Sequence, residues 1–295
     1  MIDKAKKVIE EAVQWLKNQK DGPTILIKQT RNLGDTLHIT PIARHYKLKF
    51  PDCKIAFLVG DKYAPVHQNN QDFDKIFPIP ANLSPQDRIK LGNRIIRLKG
   101  IDHTLCPSIF PFGEVWPSHK WSYEKLVHQY YHNAEIRPPE KILGGGKLHA
   151  PVSKHDQKAA TKIVADRNVI AFEYNSYSHP VPWSMNTFAK LVRLLRRKGY
   201  YCMSIAGKNE GIIPGTMDAR GMSWPRTVAI LARCKGLIGV GSGITMLAAC
   251  ADPQPKIVEI NVAGSISMKS CGYADSTVIN NATPELINKE FPNCK

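Results

Sequence analysis

Short, nearly continuous apolar runs alternate along this chain with stretches whose apolar residues recur every three or four positions. Thr24 to Gln29 (TILIKQ) and Lys54 to Val59 (KIAFLV) have the pattern of parallel strands buried on both faces. Between them a turn is followed by helical spacing from about Asp35 to Lys49, which Pro51-Asp52 ends. Upstream, Ile2, Ala5, Ile9, Ala12, Val13 and Leu16 form one stripe of an amphipathic helix over residues 2–19, stopped by Asp21-Gly22-Pro23. That stripe is expected to pack on the body of the protein, with membrane contact as the alternative. Downstream come a short helical stretch leading to Lys75-Ile76-Phe77-Pro78, a basic stretch from Arg88 to Lys99 and a strand near Asp102 to Cys106.

The alternation pauses at residues 142–151 (ILGGGKLHAP), where three glycines and a proline disfavour any regular element and suit a hinge. It then restarts. Helices are expected over Lys154–Ala165, Met185–Lys198 and Pro225–Cys234, and a short one near Gly243. Strands are expected at Val169–Glu173, Tyr201–Ala206, Leu237–Val240 and Lys256–Ile260. Repeated strand–helix–strand units imply α/β, doubly wound parallel sheets, here in two copies. The expected domains are residues 1–145, with residues 1–20 as an extra helix, and residues 150–295.

Composition narrows the class. The 295 residues suffice for two domains, and 43% of them are hydrophobic. No apolar run nears the roughly 20 residues of a membrane span, and the N-terminus reads as charged rather than as a signal peptide. Seven scattered cysteines show no metal-ligand spacing and read as inert thiols of a reducing cytoplasm. Charge is the unusual property: 41 Lys and Arg against 25 Asp and Glu give +16, which favours polyanionic partners such as an anionic membrane surface, a phosphorylated glycolipid or nucleic acid.

Two turns carry candidate chemistry. Arg31-Asn32-Leu33-Gly34-Asp35-Thr36 follows the first strand, at the end of an open sheet where ligands bind. Asp35 at a helix start reads as an N-cap or as a general base. Gly239-Val240-Gly241-Ser242-Gly243-Ile244-Thr245 follows a later strand and opens a helix, and its small residues expose backbone N–H groups suited to a pyrophosphate, with Ser242 and Thr245 adding hydroxyls. Asp72-Phe73-Asp74 has the spacing of a metal-binding motif but reads as structural, and the histidines have no ligand spacing, so no metal is expected. The Trp116-Pro117-Ser118-His119-Lys120-Trp121 stretch offers rings and a cation suited to sugar stacking or, equally, to core packing.

In order and spacing, these stretches resemble the ADP-heptose:lipopolysaccharide heptosyltransferase family (glycosyltransferase family nine), which has the GT-B fold. The resemblance lies in Ile25-Leu26-Ile27-Lys28 leading to Leu33-Gly34-Asp35-Thr36-Leu37, then Thr40-Pro41 and Lys49-Phe50-Pro51-Asp52. In the second half it lies in Pro182-Trp183-Ser184 with Phe188-Ala189-Lys190-Leu191, and in Gly241-Ser242-Gly243 with Leu247-Ala248-Ala249. It covers residues 24–260.

The resemblance implies two Rossmann-like domains facing a cleft and an inverting, metal-independent transfer from a nucleoside-diphosphate sugar, without a cofactor. Asp35 would be the base that deprotonates the acceptor hydroxyl. Gly241, Ser242, Gly243, Ile244, Thr245, Asn175 and Trp183 would bind the donor; Lys208 and Glu210, after a strand end, read as further donor contacts or equally as a solvated loop. Arg31, Asn32, Gly34, His119 and Lys120 would bind the acceptor, a saccharide or glycolipid of the cell envelope. The protein would be cytoplasmic, peripheral at the inner face of the membrane. Three positions depart from the family pattern: Gly241 stands where it has an acidic residue, Met246 where it has His, and Val181 where it has Lys. Two other readings stay open: two Rossmann-like halves and a charge of +16 also suit a phage-type DNA-modifying glycosyltransferase, and the departures suit a non-catalytic binder of nucleotide sugars or polyanions.

Overall fold

The computed structural model describes residues 2–19, 22–30, 32–106, 134–136, 142–175, 181, 183–261, 268–269 and 273–294. The chain falls into two compact units, Met1–Pro151 and Val152–Lys295.

In the first unit, helix α1 (Ile2–Lys17) precedes strand β1 (Thr24–Gln29), short helix α2 (Leu33–Leu37), helix α3 (Ile39–Lys49) and β2 (Lys54–Gly60). A 3-10 turn (Ala64–His67), β3 (Lys75–Ile79), α4 (Pro85–Ile96) and β4 (His103–Leu105) follow. The strands pair in parallel in the order β3-β2-β1-β4, with Thr24 opposite Lys54 and Ile25 opposite His103. The stripe of α1 packs inward as expected: Val8 and Ala12 are buried with Leu26, Leu58, Phe77 and Ile95, and Trp15 meets Phe77 edge-on at 5.9 Å. Among the described residues no helix is long and apolar enough to cross a membrane.

The expected helix over Asp35–Lys49 is two helices joined at His38, and the first begins at Leu33. Pro41 explains the break. It has no N–H to donate back to the carbonyl of Leu37, and Thr40 Oγ1 donates to that carbonyl instead, at 2.9 Å. The basic stretch after Arg88 lies largely within α4, which Ser84 caps by accepting the Asp87 N–H at 3.1 Å. Asp72 and Asp74 are engaged structurally. Arg44 donates to Asp72 at 3.1 Å, and Lys47 and the Ile55 N–H donate to Asp74 at 2.6 and 2.7 Å.

The glycine-rich segment folds back on α3. The Leu143 N–H donates to His45 Nδ1 at 3.0 Å, and the His149 N–H donates to Thr40 Oγ1 at 2.9 Å. Gly144, Gly145 and Gly146 take φ of 83°, 73° and 68°, in the left-handed region where a side chain is strained.

The second unit contains α5 (Lys154–Val164), β5 (Val169–Phe172), α6 (Met185–Arg197), β6 (Tyr201–Ser204), β7 (Met217–Asp218), α7 (Trp224–Leu231), β8 (Gly236–Gly239), α8 (Gly243–Ala249), β9 (Lys256–Ile260), β10 (Ser276–Ile279) and α9 (Pro284–Lys289). Among the described residues its six strands are parallel, in the order β10-β9-β8-β5-β6-β7. Numbered from β5, this is 6-5-4-1-2-3, the order of the doubly wound dinucleotide-binding sheet. Phe172, Phe188, Leu191, Leu195, Ile238 and Phe291 are fully or almost fully buried in one core between the sheet, α6 and the C-terminal segment. The order reverses between β5 and β8, and a crevice opens beyond the carboxyl ends of strands at such a point.

Candidate functional site

In the second unit, three segments leave adjacent strands in the order β8-β5-β6 and gather at this reversal. They are Val240–Gly243 after β8, Glu173–Asn175 after β5, and the loop with Gly207, Lys208 and Glu210 after β6. Gly241 has φ of 66°. A β-carbon is strained there, so the family's acidic side chain has no relaxed place at this position. Ser242 is the N-cap of α8, and its Oγ accepts the Ile244 N–H at 3.0 Å.

The carboxyl of Glu173 lies behind this turn, with the residue 1% exposed. Thr245 Oγ1 donates to its Oε2 at 2.9 Å, and Ser242 Oγ is hydrogen-bonded to its Oε1. Gly239 leaves the room: a β-carbon there would sit 2.6 Å from Thr245 Oγ1 and 3.2 Å from Glu173 Oε2. Burial pushes the Glu173 carboxyl up to about 8, against the hydrogen bonds from Thr245 and the Val240 backbone, with the charges of Glu210 and Glu259 adding to the rise.

These bonds engage two of the expected donor groups within the protein itself. The N–H of Ile244 and the hydroxyl of Thr245 are already committed, to Ser242 and Glu173 respectively. Glu173 itself was missed. The one signal for it is an acid directly after the apolar run Val169-Ile170-Ala171-Phe172.

Glu210 accepts the Gly207 N–H at 3.0 Å through Oε1, while its Oε2 is buried without a hydrogen-bond partner among the described residues. A buried acceptor left open in a crevice calls for a hydroxyl or N–H from a ligand or water. Lys208 and Asn175 are exposed. Trp183 is half-buried and packs edge-on against Phe188, with ring centroids 5.1 Å apart.

In the first unit, Asp35 is not the N-cap. Asn32 holds that position, and the Asp35 carboxylate, at the third helical residue, accepts the Asn32 N–H at 3.2 Å. This arrangement holds the carboxylate half-buried just beyond the carboxyl end of β1. Tyr63 lies near it: burial and then the Asp35 charge push the Tyr63 phenol up, opposed by Arg88. Asn32 is exposed and Gly34 half-buried beside it. Arg31, His119 and Lys120, with the rest of the Trp116–Trp121 stretch, lie outside the described residues.

A parallel sheet in each unit, with candidate groups gathered beyond strand ends, defines an α/β protein of two Rossmann-like units. No family model matches the sequence, and no curated protein matches it. Solved structures match the fold. A family 9 glycosyl transferase from Veillonella parvula aligns at TM-score 0.68 and 18% identity, over 94% of this chain and 93% of that one. E. coli ADP-heptose lps heptosyltransferase II aligns at TM-score 0.68 and 16% identity, over 91% and 97%. E. coli heptosyltransferase WaaC with ADP-2-deoxy-2-fluoro heptose aligns at TM-score 0.61 and 15% identity, over 90% and 98%. The chain therefore has the heptosyltransferase-like GT-B fold that the alternation and the family resemblance imply.

Proposed function

We propose that this protein is a glycosyltransferase that moves a sugar from a nucleoside-diphosphate sugar to an acceptor hydroxyl. The observation that carries this reading is the strand-order reversal at β5/β8, beyond which lie a glycine turn with a serine hydroxyl and a buried carboxylate oxygen of Glu210 that has no partner among the described residues. A nucleotide sugar meets both needs. Its diphosphate takes the N–H groups of Ser242 and Gly243 and the Ser242 hydroxyl, and its ribose hydroxyls donate to Glu210 Oε2. Structures of the same fold named for ADP-heptose transfer support a donor of this class.

In this reading Asp35 takes the proton from the acceptor hydroxyl as the oxygen attacks the anomeric carbon. The bond from that carbon to the diphosphate breaks with inversion, through an oxocarbenium-like transition state. Charge grows on the departing diphosphate, where the N–H groups of the Gly241–Gly243 turn stabilise it. No metal role is assigned, because Arg44, Lys47 and the Ile55 N–H already engage the Asp72–Asp74 pair. The acceptor is an envelope saccharide or glycolipid, bound beside Asp35 by Asn32 and Gly34; Arg31, His119 and Lys120 stay acceptor residues on the sequence reading alone. The excess of basic residues holds the protein near anionic acceptors.

Thermal stabilisation by a panel of ADP-, UDP-, GDP- and dTDP-sugars tests the donor site. One nucleotide class should raise the melting temperature, and Glu210→Ala should remove the rise. No stabilisation by any donor would contradict the reading. Binding without turnover in the presence of envelope extract or duplex DNA would make the protein a non-catalytic binder instead.

A further inference from the structure

The carboxyl of Glu173 is the most deeply buried acid at the crevice, and the reaction above gives it no role. Its surroundings specify one. Thr245 Oγ1, from α8, donates to Oε2 at 2.9 Å, and the Val240 backbone adds a hydrogen bond from the end of β8. Oε1 meets Ser242 Oγ. The other charged groups acting on it are the acids Glu210, after β6, and Glu259, on β9.

Ser242 has one hydrogen to give and two lone pairs to fill. One lone pair takes the Ile244 N–H at 3.0 Å. An ionised Glu173 only accepts, so Ser242 must then turn its hydrogen inward, away from any ligand. A neutral Glu173 protonated on Oε1 donates to the second lone pair of Ser242. Both lone pairs are then filled, and the serine hydrogen is left for the open side of the turn. The neutral acid also places no negative charge behind a diphosphate.

We propose that Glu173 is a positioning residue for the donor diphosphate: as the neutral acid it donates to Ser242 Oγ and turns the Ser242 hydroxyl hydrogen toward a phosphate oxygen. This rests on the reading of the Gly241–Gly243 turn as the diphosphate site. It also gives the departure at Gly241 a physical sense. The acid of this site stands behind the turn rather than in it, and it works by keeping its proton. Burial and the two neighbouring acids maintain that proton at neutral pH, with the carboxyl pushed up to about 8.

Calorimetric titration of the full-length protein with ADP, UDP, GDP and inorganic pyrophosphate from pH 6 to 9 tests the inference, using wild type, Glu173→Gln and Ser242→Ala. Glutamine keeps the shape, stays neutral and can donate to Ser242. Wild-type affinity for the preferred ligand should fall through pH 8, by about tenfold at pH 9 if only the neutral form binds. Glu173→Gln should bind like wild type at pH 7 and lack the fall. Ser242→Ala should bind weakly at pH 7 and also lack it. A fall that persists in Glu173→Gln overturns the inference and leaves the donor site standing. A fall that persists in Ser242→Ala overturns it too, because the carboxylate would then act by repulsion alone, and this arm decides if Glu173→Gln does not fold. Absence of binding by wild type at every pH overturns the diphosphate reading and this inference with it.

Discussion

His67 Nε2 donates to Thr36 Oγ1 at 3.1 Å across the buried interior of the first unit. The direction follows from Thr36, whose hydroxyl hydrogen is used on the Leu33 carbonyl at 2.8 Å. Burial keeps His67 neutral, so its proton sits on Nε2, and its Nδ1 has no hydrogen-bond partner among the described residues. The bond anchors the helix that carries Asp35 to the turn after β2.

Acid should loosen this unit. Burial lowers both His67 and His38 from 6.5 to about 3. Below pH 6.5 the unfolded chain takes up protons that the folded imidazoles refuse. The stability they contribute is complete above pH 6.5 and is lost progressively as pH falls toward 3. The melting temperature should decline from pH 7 to 5, while most carboxylates are still ionised. His67→Gln keeps a neutral donor to Thr36 and should show a shallower decline. Equal slopes in the two proteins would refute this assignment.

Thr40→Val should destabilise the protein by about 1–3 kcal/mol in equilibrium denaturation. Thr40 Oγ1 both donates to the Leu37 carbonyl and accepts the His149 N–H, so the isosteric change leaves two backbone groups without their partner. A change within about 0.5 kcal/mol, the range of ordinary surface substitutions, would show that water replaces the hydroxyl.

Gly239→Ala should cost about 1–3 kcal/mol through overpacking, because the new methyl would meet Thr245 Oγ1 at 2.6 Å and crowd Glu173 Oε2. It should also weaken nucleotide binding, since the displaced groups hold Ser242. A variant with wild-type stability and affinity would mean that the carboxyl has room to move.

Much of this architecture is legible in the chain because buried parallel strands are written as apolar runs. Lys54–Val59 and Lys256–Ile260 announce themselves in this way. Met217–Asp218 and Ser276–Ile279 do not. The first is only a two-residue edge strand, and the second, on the opposite edge, mixes polar with apolar residues. The break at His38 is signalled by Pro41, but helical spacing on either side masks it. Of the candidate site, both turns are legible as strand-to-helix turns, since glycine, serine and aspartate suit that position. Glu173 is not, because its role depends on Ser242 and Thr245, which lie 69 and 72 positions away. The role of Trp183 against Phe188 was likewise hidden, since a tryptophan suits a sugar or a core equally well.

Ser242→Ala should lower stability by about 1 kcal/mol, the usual worth of an N-cap hydroxyl. It should weaken nucleotide affinity by more than the same substitution at Ser84, which caps α4 in the other unit. Equal effects on affinity would reduce Ser242 to a helix cap.

The most direct test of the transferase reading is the release of nucleoside diphosphate from the stabilising nucleotide sugar, with envelope extract as acceptor, in wild type and Asp35→Ala. Acceptor-dependent release by wild type, lost at least a hundredfold in Asp35→Ala while donor binding is kept, is the predicted result, in line with the ~10²–10⁴-fold worth of a general base. Equal release by the two proteins would contradict the role of Asp35, and no release by wild type with any donor would contradict the transferase reading itself.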